Sequence, residues 1–197
     1  VYADIAVDSK YWMWINGELV VFEGGLKRGP NPRDTYYDRV YIAPYLTEGK
    51  NSIAILLWYF GKDGFSHNSS GKAGLLFDCQ TEKFRILSDA SWKCKPYEAY
   101  EQTGAPHPNW RLPESNIRFD ARKEYAGWTE KDANPHFHRA VPLGEAGMTP
   151  WNNLVERPIP LWKDFGIQEY VSIEKHEGTK VDTFYCKLPY NCHATPF

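Results

Sequence analysis

Residues 16 and 17 are Asn-Gly, set between an aromatic run at 11–15 and an apolar run at 19–22. A two-residue loop with positive φ at both positions matches the right-handed twist of paired strands, and Asn-Gly adopts it at least cost. That dipeptide therefore commits the start of the chain to a β-hairpin. The same pattern of short β-forming runs and turn residues continues downstream. Ala3, Ile5 and Val7 alternate with Asp4 and Asp8, which predicts a half-buried strand with the two carboxylates on its outer face. Residues 24–32 form a Gly/Pro loop, 36–42 a strand, and Glu48-Gly49-Lys50-Asn51 a turn. Residues 52–60 are β-branched and aromatic without alternation, the pattern of a central strand buried on both faces.

A polar, glycine-rich loop follows at 61–74, then a second hairpin from 73–79 and 83–87 and a short strand at 91–94. Residues 97–118 carry four prolines and read as irregular, 130–134 suit one helical turn, and 142–160 lack periodicity. Two strands are expected at 170–174 and 181–188. No helical period lasts beyond a turn or two. Many short strands separated by turn signals predict an all-β chain, a jelly-roll or galactose-binding-like β-sandwich with long irregular loops.

A chain of 197 residues is long enough to bury about 70% of its unfolded surface, so a substantial core is affordable. Lys and Arg total 23 against 25 Asp and Glu. That balance offers no basic footprint for nucleic acid or an anionic membrane, neither of which is an expected partner. No apolar run approaches the roughly 18 residues of a spanning helix. The four cysteines, Cys79, Cys94, Cys186 and Cys192, match no zinc spacing, and their pairing is not set by sequence. The chain opens on Val1 directly in a strand pattern, which reads as a piece cut from a longer protein with an upstream strand outside it.

The segments YWMWINGELV, YIAPYLTEGKNSIAILLWYFGKDGFSHNSSGKAGLLF, ILSDASWKC, FDARKEYAGW and LVERPIPLWKDFG occur in that order between Tyr11 and Gly166. As an ordered set they resemble the N-terminal β-sandwich region of bacterial α-L-rhamnosidases. The "NGxxV" and "YLxxGxNxIA" patterns alone occur in galactose-binding-like jelly rolls of other glycosidases; WYFGKDGFSHNSSGKAG and FDARKEYAGW carry the choice. The resemblance implies an accessory β-sandwich over 1–166, with 167–197 a connection of one or two strands toward a downstream catalytic (α/α)6 barrel. That barrel holds the family's inverting carboxylates, so no catalytic residue is expected here. It also implies a rhamnose-containing glycan as the carbohydrate partner, the downstream domain of the same chain as a second partner, and a periplasmic or secreted setting.

Inverting glycosidases place an acid and a base about 6.5–9.5 Å apart. Glu114, Asp120, Glu124 and Glu130 supply such pairs on paper, but among 25 acidic residues some pair always does. His136 and His138 share one face of an extended segment, yet a metal needs a third and usually a fourth ligand, and His107 is the one nearby candidate. No metal or other cofactor is expected. Ser66, Ser69 and Ser70 beside His67 lack a nucleophile elbow, and Asp63-Gly64 lacks the later acidic positions of a calcium loop.

The loop 61–71 gathers polar groups directly after an aromatic strand end, as sugar sites at one end of a sandwich do. Asp63, His67 and Asn68 are candidate partners for sugar hydroxyls, with Trp58, Tyr59 or Phe65 as a stacking platform. Asp120 and Arg122, with Trp128, form a second candidate site; the competing reading of Asp120–Arg122 is a structural ion pair. Trp110, Trp128, Trp151 and Trp162 sit in irregular segments, where they pin loops or face a neighbouring domain. Three functions stay open: a buttress for the barrel, a weak carbohydrate-binding module, and a small glycosidase.

Overall fold

Asn16 and Gly17 occupy the tip of a hairpin with φ of 53° and 88°. The strands they join are β2 (Lys10–Ile15) and β3 (Glu18–Gly25), preceded by β1 (Tyr2–Asp8). The computed structural model describes residues 1–64, 66–102, 117–133 and 135–166, with the backbone of 172–176, 184–187 and 193–194. The Asn16 side chain locks the hairpin tip by donating to the Tyr45 carbonyl and the Asn51 amide oxygen, both at 2.9 Å. It also accepts from the Ser52 N–H at 3.0 Å.

After β3 come β4 (Thr35–Tyr41), β5 (Ile53–Trp58), β6 (Gly74–Gln80) and β7 (Arg85–Leu87). Short ribbons form between β8 (Lys93–Cys94) and β11 (His138–Arg139), and between β9 (Tyr100–Gln102) and β10 (Ile117–Phe119). With β12 (Leu154–Glu156), the main sheet has five strands in the order β12-β4-β1-β6-β7, and a second has three in the order β3-β2-β5. No α-helix occurs among the described residues. The chain is an all-β sandwich, as the turn chemistry predicts.

Strand alternation selects the core. Ala3, Ile5 and Val7 of β1 meet Tyr11, Met13 and Ile15 of β2, each at most 1% exposed. Val21 of β3, Val40 of β4, Ile42 just after it, and Phe77 and Cys79 of β6 complete the cluster. Gly24 is required by packing, because a Cβ there would lie 2.3 Å from the buried Tyr11 ring. Among the described residues the Tyr11 hydroxyl meets no acceptor in good hydrogen-bond geometry, and burial, reinforced by the nearby Asp38 carboxylate, pushes its pKa well above the usual tyrosine value.

Two expectations are corrected. β5 is an edge strand, not a central one: β2 lies in the middle of its sheet. Ile53, Ile55 and Leu57 pack against the core, while the opposite face carries rings such as Trp58, 6.3 Å from Trp12. An unbroken apolar run is equally satisfied by rings or by a second sheet. Second, 142–160 contains a strand, β12, that runs parallel to β4 with Leu154 opposite Thr35. Three residues are too few to display a period.

The chain divides into two compact units, Val1–Trp162 and Lys163–Phe197. The second holds β13 (Ser172–His176), β14 (Phe184–Lys187) and β15 (His193–Ala194) as a three-stranded antiparallel sheet.

The 150s segment is fastened to the sandwich by an ion pair between Arg157 and Asp38, with side chains 12% and 2% exposed. Asp38 also accepts from the Gly25 N–H at 2.9 Å. Removing one member of a buried pair strands the other charge. Arg157→Ala is expected to lower stability by about 3–5 kcal/mol in urea denaturation. Arg39→Ala, which breaks solvent-exposed pairs with Asp4 and Glu156, should shift the urea midpoint far less than Arg157→Ala in the same measurement.

Candidate functional site

The backbone leaves the five-stranded sheet at Asp8 and enters the three-stranded sheet at Lys10, so Asp8 and Ser9 sit where the sheets meet. Both are fully buried. This reverses the outward placement that alternation suggests for Asp8. A buried carboxylate needs donors, and it finds them in the glycine-rich loop. The Ser70 N–H and hydroxyl donate to Oδ2 at 2.6 and 2.7 Å, the Ser69 hydroxyl to the same atom at 3.3 Å, and the Ser9 hydroxyl to Oδ1 at 2.7 Å. Ser9 Oγ in turn accepts from the Phe60 N–H at 3.1 Å. Lys27 is buried nearby with its ammonium 5.7 Å from the centre of the Trp151 ring. Burial pushes its pKa down, and the Asp8 charge opposes that shift.

The loop is closed by the residues proposed as sugar contacts. Asp63 accepts from the Ser69 N–H at 2.7 Å. His67 is 3% exposed, bonds the Lys62 carbonyl through Nε2 at 2.8 Å and stands edge-on to Phe60 at 4.8 Å. Asn68 donates its backbone N–H to Lys27 at 2.9 Å and its side-chain amide to the Pro32 carbonyl at 3.1 Å. The Tyr59 and Ser69 hydroxyl oxygens lie 3.4 Å apart, and Trp58 lies edge-on to Phe60 at 5.1 Å. Phe65 lies outside the described residues.

Loop 61–74 thus lies against the loop of residues 28–32, and a cleft of about 280 Å³ opens between them. Arg28 and Asn31 line one side; Ser66, His67 and Asn68 line the other. Such a volume lies at the small end of ligand sites, about 300–1,000 Å³.

Asp120, Arg122 and Trp128 form a separate group. Asp120 accepts from Arg122 Nε at 2.8 Å and from its terminal nitrogen at 2.7 Å, and it caps the 3-10 turn at Ala121–Lys123. The Arg122 hydrogen bond holds the Asp120 carboxyl below the usual carboxylate range. Trp128 stands edge-on to Trp14, 5.4 Å away on the outer face of β2, and 6.1 Å from Tyr97. No group of three or more His, Cys, Asp and Glu is gathered in metal-binding geometry among the described residues.

Sequence reasoning missed Asp8, Arg28 and Asn31. The Gly/Pro loop at 24–32 was visible, but its approach to residues 64–68 leaves no local mark. Asp8→Ala is expected to leave the Ser9 and Ser70 donors unpaired and to cost about 2–4 kcal/mol. Hydrogen exchange should then quicken at the Ser70 and Phe60 amides before it does in β1 and β2.

No protein-family model and no curated protein matches this chain. Among solved structures, the GH78 family rhamnosidase of Bacillus sp. GL1 superposes with a TM-score of 0.72 at 25% identity, over 88% of this chain and 18% of that one. The α-L-rhamnosidase from Dictyoglumus thermophilum shares the fold, with a TM-score of 0.61 at 21% identity over 95% of this chain and 20% of that one. The chain spans about a fifth of the length of either protein. It is a β-sandwich similar, over most of its own length, to a minor part of the GH78 rhamnosidase.

Proposed function

We propose that this chain is a non-catalytic accessory sandwich that buttresses the catalytic barrel of an α-L-rhamnosidase acting on rhamnose-containing glycans. The observation that carries this reading is the disparity in coverage: 88% of this chain against 18% of the Bacillus rhamnosidase. In the late segment Val141, Ile159 and Trp162 are 76%, 64% and 72% exposed, which leaves apolar area for a neighbouring domain to cover. Apolar side chains in that state favour burial against a partner.

The chain alone is expected not to hydrolyse aryl α-L-rhamnosides in a chromogenic assay. Turnover that survives purification and is lost on replacing a single carboxylate would overturn this.

A second reading, a weak carbohydrate-binding module, is favoured by the polar cleft between residues 28–32 and 64–68. Shallow sites with few hydrogen bonds gain little over desolvation. Binding of a single sugar is therefore expected at about 4–6 kcal/mol, a Kd between high micromolar and millimolar. Amide shift mapping with L-rhamnose, D-galactose and a rhamnose-bearing polymer checks it. Perturbation of the residues around Trp128 alone would move the site.

A further inference from the structure

Arg28 is exposed at the rim of the 280 Å³ cleft, and no described residue accepts a hydrogen bond or ion pair from its guanidinium. Of the other described arginines, Arg39, Arg85, Arg122 and Arg157 are committed to Asp4, Asp78, Asp120 and Asp38, while Arg33, Arg118 and Arg139 do not line the cleft. Apart from the His67 imidazole, Arg28 is also the one ionisable side chain lining the cleft. Asp34 and Asp63 lie outside the lining, where Asp34 accepts from the Asn31 amide at 2.7 Å and Asp63 from the Ser69 N–H. The remaining lining is small and neutral: Ser66, Asn31 and Asn68 offer a hydroxyl and amide oxygens of the kind that pair with sugar hydroxyls.

A guanidinium presents a planar fork of donors that matches a carboxylate bidentately, whereas a hydroxyl engages it singly. We infer that the cleft takes an acidic sugar, a uronate residue, with Arg28 on its carboxylate and the 66–68 side on its ring hydroxyls. This rests on the carbohydrate-binding reading and adds the charge of the ligand to it.

The volume suits one sugar ring and not an extended chain. The uronate would therefore be a single unit of a longer glycan whose other residues stay outside the cleft. Because the rim is open to solvent, the Arg28 contribution should weaken as salt rises.

The test is titration of the full chain with D-galacturonate, D-galactose, L-rhamnose and acetate, followed by amide shift mapping. Galacturonate is expected to perturb residues 28–32 and 66–68 and to bind roughly tenfold tighter than galactose. Arg28→Gln, an exposed and non-disruptive change, should remove that advantage by weakening galacturonate binding far more than galactose binding. Equal binding of galacturonate and galactose, unchanged in Arg28→Gln, would overturn the acidic preference and leave the carbohydrate reading standing. No perturbation of the cleft by any sugar would overturn both. Acetate matching galacturonate would overturn the inference as well, by reducing the site to a bare anion contact.

Discussion

Asp8 is the carboxylate on which the loop end of this sandwich is organised. A chain that passes from one sheet to the facing one across a single residue must bury that crossing, and here the crossing includes a charged group. Burying it is tolerable because Ser9 and Ser70, with Ser69 at longer range, direct donors at its two oxygens. Donation to an ionised acceptor is stronger than between neutral partners. Two of those serines belong to the glycine-rich loop, so satisfying Asp8 also draws that loop over the sheet ends. The cleft is a consequence: once Ser69 and Ser70 are held at Asp8, Asn68 reaches the Lys27 and Pro32 carbonyls and brings the loop against residues 28–32.

The aromatic richness of the chain is spent on cover more than on a single platform. β2 sends Tyr11 into the core and Trp12 and Trp14 to the outer face. Rings continue in both directions, through Trp58, Phe60 and His67 toward the loop and through Trp128, Tyr97 and Tyr125 toward the irregular segments. A three-stranded sheet gives little shelter to its outer face, and edge-to-face rings supply it with an apolar layer that packs in many orientations. Trp58 therefore serves the sheet as well as lying beside the candidate loop.

Local features of the sequence were legible where the physics is local. Asn16-Gly17 specifies its turn through backbone sterics alone, and Ala3, Ile5 and Val7 specify an inward face through the two-residue period of a strand. Asp8 follows the same alternation yet lies buried, because its surroundings are decided by where the chain crosses between sheets. The candidate polar residues Asp63, His67 and Asn68 were recognisable as a cluster. Their hydrogen-bond partners, which determine the groups left to face the cleft, were not.

By itself the sequence determined the all-β class, the hairpin tip, the inward face of β1 and the presence of a polar loop after β5. These depend on φ preferences and on periods a few residues long. Only the tertiary structure decided that β2 and not β5 is central, that β12 joins β4 in parallel, and that Asp38 meets Arg157 across 119 positions. It likewise decided that Ser70 meets Asp8 across 62 positions, and that Arg28 and Ser66 border one cleft. Those pairings are selected by the free energy of the whole packed arrangement, in which an apolar face or a buried charge accepts whichever cover the fold brings to it.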